Sequence, residues 1–116
     1  MTSYKQGDVF LVPFPFTDQS GTKQRPAVIL SGSQYNQNHL DVILAPITSQ
    51  IFQTIDEIRL ANWKSAGLLK PSVVKPVVAS FDIALVRRKL GALSNADRGR
   101  VRAAFALILD LPYSEE

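Results

Sequence analysis

Cysteine is absent from this 116-residue sequence and histidine occurs once, as His39. Without thiols there is no disulfide framework, no thiolate nucleophile and no cysteine-ligated zinc or iron site. With one imidazole, no pair of histidines can share acid and base work, which removes one familiar metal-free ribonuclease chemistry. His39 itself sits in the polar stretch Tyr35 to Asp41, where a solvated turn residue is the expected role. Acidic residues do not cluster. The adjacent pair Asp56 and Glu57 would point to opposite faces of a strand and could not chelate one ion together. The glycines, Gly7, Gly21, Gly32, Gly67, Gly91 and Gly99, fit no phosphate-cradling spacing. Long apolar runs are missing too. The stretch 9–16 is far shorter than the ~20 residues a membrane helix needs and is broken by Pro13 and Pro15. The start of the chain lacks a signal-peptide pattern. A soluble, unprocessed, cytoplasmic protein is expected.

What is present suits one globular domain over residues 1–116, with 46% hydrophobic and 20% charged residues and no repeat or linker. The formal charge of +3 is compatible with a polyanionic partner. Between residues 86 and 102, Arg87, Arg88, Lys89, Arg98, Arg100 and Arg102 face a single acid, Asp97. Such a segment reads either as a solvated face or as a footprint for nucleic acid or an acidic peptide.

Runs rich in Val, Ile and Phe, bounded by Gly, Pro, Ser and Asn, predict strands over 8–14, 27–31, 41–47, 55–60, 72–79 and 81–86. Residues 61–66 suit a short helix closed by Gly67 in the left-handed conformation. Ser94, with Asp97 three residues on, reads as the N-cap of a final helix. In it Val101, Ala104, Phe105, Ile108 and Leu111 recur at helical spacing, with arginines opposite. The expected fold class is strand-dominated α+β, a small, partly closed barrel packed by a C-terminal amphipathic helix.

The polar loop from Thr17 to Gln24 ends on Arg25-Pro26 and runs straight into an apolar strand. Proline fixes the chain direction there, so a guanidinium at 25 has a firm base from which to fork onto a phosphate. From chemistry alone an ordinary surface arginine closing a hairpin loop is the slightly favoured reading. Ile47-Thr48-Ser49 ends another apolar strand with two hydroxyls, which either donate to a phosphate oxygen or cap the following turn. Trp63, flanked by Ala61, Ala66 and Leu68, reads as an apolar anchor rather than a stacking platform for bases.

Several segments occur together in order: Gly7-Asp8-Val9, Pro13-Phe14-Pro15-Phe16-Thr17-Asp18, Ser20-Gly21 and Lys23-Gln24-Arg25-Pro26-Ala27-Val28-Ile29-Leu30. After them come Ile47-Thr48-Ser49, Trp63, Ala66-Gly67-Leu68, Pro71-Ser72-Val73-Val74 and Leu90-Gly91-Ala92-Leu93-Ser94. In this order the chain resembles the MazF/PemK toxins of bacterial toxin-antitoxin systems over nearly its whole length. The resemblance implies a homodimer of small barrels that cleaves single-stranded RNA without a metal or other cofactor. It also implies neutralisation by a cognate antitoxin, and no membrane or DNA partner of its own. By the same resemblance Arg25 is the catalytic arginine, Thr48 its hydroxyl partner, and Ser49 and Lys75 possible support. Gly21, Lys23 and Gln24 belong to the loop lining the RNA groove. The arginine-rich helix face is then expected to receive an acidic antitoxin segment. Where some members carry a basic residue and a carboxylate two positions apart, this sequence has Lys75 and Val77, separated by Pro76, so the general base is unassigned. Two competitors remain: a gyrase-binding toxin like those of the CcdB family, whose C-terminal tryptophan signature is missing here, and a catalytically inactive interaction module.

Overall fold

The computed structural model describes residues 3–14, 24–50 and 55–111. Asp8–Val12 (β1), Arg25–Ile29 (β2) and Asp41–Thr48 (β3) form an antiparallel meander in which both faces are apolar. That explains why their sequences read as nearly continuous hydrophobic runs. On one face Val9, Val28, Ala45 and Ile47 pack beneath the C-terminal helix. On the other Phe10, Val12, Ala27, Ile29, Val42 and Leu44 form a second cluster with Phe14, Phe81 and Val86. The rings of Phe14 and Phe81 meet at 5.3 Å in that second cluster.

Strand β3 changes partner along one edge. Its residues 41–44 pair with Ala79–Asp82 (β6), and Ile47 and Thr48 pair with Val73–Val74 (β5). The exchange falls at Pro46. Its carbonyl accepts from the Lys75 amide at 2.9 Å, so its nitrogen, with no hydrogen to give, faces the same edge and interrupts the ladder there. Beyond β5 lies Ile58–Arg59 (β4), and beyond β1 lies Lys89–Ala92 (β7). The sheet runs β4-β5-β3-β2-β1-β7, with β6 off β3, and curls into a half-barrel.

The strand-dominated α+β fold expected from sequence is the one observed, with local differences. Strand β2 starts at Arg25 rather than 27, so the arginine lies within the ladder, across from Val12. Strands β4 and β5 are two residues each. Ser33–Asn38 is a short helix (α1). Residues 61–67 form successive turns instead of a helix, ending on Gly67 at φ +86°. A β-carbon at Gly67 would lie 2.1 Å from the Leu90 carbonyl oxygen, so both conformation and space require glycine. Among the described residues no helix is long and apolar enough to cross a membrane.

Asn95–Ile108 (α2) is capped by Ser94, whose Oγ accepts from the Asp97 amide at 3.2 Å and donates to Asn62 Oδ1 at 2.8 Å. The Asp97 carboxylate does not close a capping box. It is fully buried and accepts from the Ala61 and Asn62 amides at 3.0 and 2.8 Å. Arg100 approaches the same carboxylate at 3.5 Å. Val101 and Phe105 pack into the sheet, Ala104 and Ile108 flank them, and Leu111 lies past the helix end, 56% exposed. Replacing Asp97 by alanine removes the charged acceptor of the Ala61 and Asn62 amides, so unfolding should become easier by about 3 kcal/mol. Urea denaturation measures this, with Ser94→Ala as a milder reference near ~1 kcal/mol.

Candidate functional site

The register of β2 and β3 pairs Ala27 with Pro46. Continued by two residues, it sets Arg25 across from Thr48. Alternation places both on the face turned away from α2, in line with Ala27 and Ile29 on one strand and Val42 and Leu44 on the other. Directly opposed residues in such a pair carry β-carbons ~4.5–5.5 Å apart. Both side chains are partly buried. The proline after Arg25 and its ladder pairing with Val12 of β1 hold the arginine's base.

Thr48 Oγ1 accepts from the Gln50 amide at 3.0 Å, so the turn-capping role is present. That bond uses a lone pair and leaves the hydroxyl hydrogen as a donor. Thr48 also lies across from Val73 of β5. Two residues further on, Lys75 continues that ladder through its bond to Pro46, on the same face as Val73 and Thr48. After Lys75 the chain leaves the sheet at Pro76 and closes a tight turn, the Val77 amide donating to the Lys75 carbonyl at 2.8 Å. Val77 is exposed and offers no proton acceptor.

Ser49 is exposed and follows the last residue of β3, off the row that carries Thr48. Gln24 is exposed just before β2, while Gly21 and Lys23 lie outside the described residues. His39 is exposed beyond the opposite end of β3, stacked on Tyr35 at 3.8 Å with Nδ1 against the Tyr35 carbonyl. Trp63 packs against the core beneath α2 and carries Lys64 at 5.6 Å from its ring centroid. Asp56 sits in a turn at φ +130° rather than in a strand.

Two residues that the sequence did not single out share the Thr48 face. Arg59 pairs with Val73, which places it on the row of Thr48 and Arg25. The same register continued one residue sets Glu57 across from Lys75, and Glu57 Oε1 is closed off from solvent without a hydrogen-bond partner. The pattern of Ile58 and Leu60 as apolar neighbours was the available signal, since it throws the intervening charges to the other face. A guanidinium, a hydroxyl and an ammonium on one face of a rigid sheet are suited to hold phosphate oxygens.

The fold is that of MazF-type barrels. It is shared with the Mycobacterium tuberculosis toxin MazF-mt6 at TM-score 0.75 and 21% identity, covering 91% of this chain and 99% of that one. Deinococcus radiodurans MazF matches at TM-score 0.76 and 20% identity over 96% and 100% of the two chains. A mycobacterial endoribonuclease solved in complex with its cognate antitoxin matches at TM-score 0.74 and 18% identity, over 98% and 100%. No curated protein sequence matches the chain. The model of the PemK-like, MazF-like toxins of type II toxin-antitoxin systems matches residues 5–109, and the chain belongs to that family.

Proposed function

We propose that this toxin is a metal-independent endoribonuclease that cuts single-stranded RNA in the cytoplasm at the Arg25–Thr48 pair. The supporting observation is the strand register that sets these two side chains opposite each other on the face away from α2. In the reaction the ribose 2′-hydroxyl attacks the adjacent phosphorus and gives up its proton to solvent, while the bond to the 5′-oxygen breaks and that oxygen takes up a proton from solvent. The products are a 2′,3′-cyclic phosphate and a 5′-hydroxyl. Arg25 stabilises the charge that grows on the phosphorane-like transition state and shields the leaving oxygen, while Thr48 donates to a non-bridging oxygen. Lys75 holds the phosphate as a point charge. With Val77 offering no proton acceptor, the rate enhancement rests chiefly on these electrostatic contacts.

Incubating purified protein with single-stranded RNA in chelator should give cleavage with the ends stated above. Arg25→Ala should lose about 10²-fold or more. Thr48→Val should also lose activity while its unfolding free energy stays within about 1 kcal/mol of wild type, because only one solvent-facing amide loses its partner. Trp63→Phe should cleave as wild type does. Intact RNA across varied substrates would sink the enzyme reading.

The same reading includes a homodimer. A groove of roughly 900 Å³ runs between α2 and the sheet, and Val78, Leu107, Leu109 and Leu111 along it are each at least 46% exposed. Contiguous apolar surface of this kind marks an interface, and a second copy is its proposed occupant. Sedimentation velocity should report a dimer that Leu107→Glu with Leu111→Glu converts to monomer. An unchanged dimer would place the interface elsewhere.

A cognate antitoxin is the remaining partner, with an acidic segment on the arginines of α2. Of these, Arg98 lies over Gly7, whose added β-carbon would sit 2.7 Å from Arg98 Cδ, and Arg100 pairs with Asp97. Arg102 is exposed on the groove rim and makes no ion pair among the described residues. Arg102→Glu should therefore weaken the antitoxin complex in calorimetric titration, and unchanged affinity would remove this face from the interface.

A further inference from the structure

We infer that Arg59 is a second phosphate-binding residue, so that the RNA strand crosses the sheet from β2 towards the β4 edge instead of running along one strand. The inference rests on the ribonuclease reading above. Its basis is the register: Arg59 lies across from Val73, Val73 across from Thr48, and Arg25 across from Thr48 by continuation of the β2–β3 pairing. These positions form one row perpendicular to the strands.

Arg59 stands in the edge strand β4, which as a whole borders a small cleft against Arg100, Ala104, Leu107 and Ile108 of α2. Its neighbours Ile58 and Leu60 are 5% exposed and packed in the cluster beneath α2, so alternation turns the arginine to the side of Arg25. It is exposed, and among the described residues neither Arg59 nor Lys75 makes an ion pair. An arginine and a lysine without ion pairs on neighbouring rows are suited to a polyanion. Three strand spacings of ~4.8 Å put the backbones of Arg25 and Arg59 about 14 Å apart. That separation is too wide for a single phosphate, so the two guanidiniums hold different phosphates of one strand, with Lys75 on the adjacent row between them. Glu57, across from Lys75, is the acidic group on this part of the face and bounds the cationic track at the sheet edge.

The probe is a fluorescein-labelled, mixed-sequence single-stranded RNA with 2′-O-methyl riboses, which binds but lacks the attacking hydroxyl. Anisotropy is read across a salt series. Arg59→Gln should weaken binding about tenfold, the effect of one charge-assisted contact. It should also lower the slope of log affinity against log salt by ~0.7, the value for one phosphate contact on a single strand. Arg59→Lys should recover most of the slope. Lys5→Gln, which removes the same charge beyond the far end of β1, should bind as wild type. Wild-type affinity and slope in Arg59→Gln, or an equal loss in Lys5→Gln, would overturn the proposal while leaving the ribonuclease reading intact. No binding by the wild type would overturn both.

Discussion

Strand β3 has one backbone and three neighbours, and the rest of the molecule follows from how it satisfies them. Along one edge it pairs with β2 and along the other first with β6 and then with β5, changing over at Pro46. Both of its faces are buried, Val42 and Leu44 on one side and Ala45 and Ile47 on the other. Burying each such branched side chain contributes roughly 1.5–3 kcal/mol. A slip of one residue would exchange the two faces and carry the Thr48 hydroxyl beneath α2. The packing of the strand therefore fixes where the hydroxyl at its end can point, and the same ladder fixes Arg25 opposite it.

A second constraint lies far from that row in sequence. Asp97, in the first turn of α2, accepts the Ala61 and Asn62 amides. Those residues directly follow Leu60, whose own amide bonds to the Ser72 carbonyl at 3.1 Å. A buried carboxylate thus ties the helix start to the end of β4, a strand too short to hold itself in place. The position of Arg59 in that strand depends on this tie. Helix and sheet edge are coupled through hydrogen bonds to charge, which are stronger than neutral ones.

Where the sequence was legible, the residues carried a strong burial signal. The strands β1 and β3 are nearly continuous apolar runs and the helix α2 has apolar positions at helical spacing, and all three lie where those patterns put them. The short helix α1 has no buried residue; Asn36 is held by its side chain to the Tyr4 and Ser31 carbonyls, contacts that no local pattern encodes. Strand β7 was hidden within a run read as basic surface, because its Lys89-Leu90-Gly91-Ala92 pairs with a strand some eighty residues earlier. Residues 61–67 have helical composition but are hydrogen-bonded to Asp97 and packed closely against Leu90, and tertiary contact overrides propensity there. Arg25 and Thr48 were legible as residue types. That they stand on one face was not, because it follows from register between strands rather than from either strand alone.

The register also bears on why an arginine rather than a lysine occupies position 25. The residue is paired with Val12 in the ladder and followed by a proline, so its main chain has little freedom to shift towards a ligand. A fixed base favours a side chain whose donors are themselves arranged in a plane, because less rotational freedom is lost for each hydrogen bond made. Lys75 stands at the opposite limit, at the last rung before Pro76 turns the chain away, where a flexible point charge can follow a phosphate as its geometry changes. In the proposed reaction the two cations then divide the work: the fork holds the charge that develops at one place, and the ammonium tracks the group that moves. The preorganised fork of Arg25 costs little reorganisation at the moment of reaction, and in the proposed reaction this is how a site with Val77 and no proton acceptor would favour the transition state over the bound substrate.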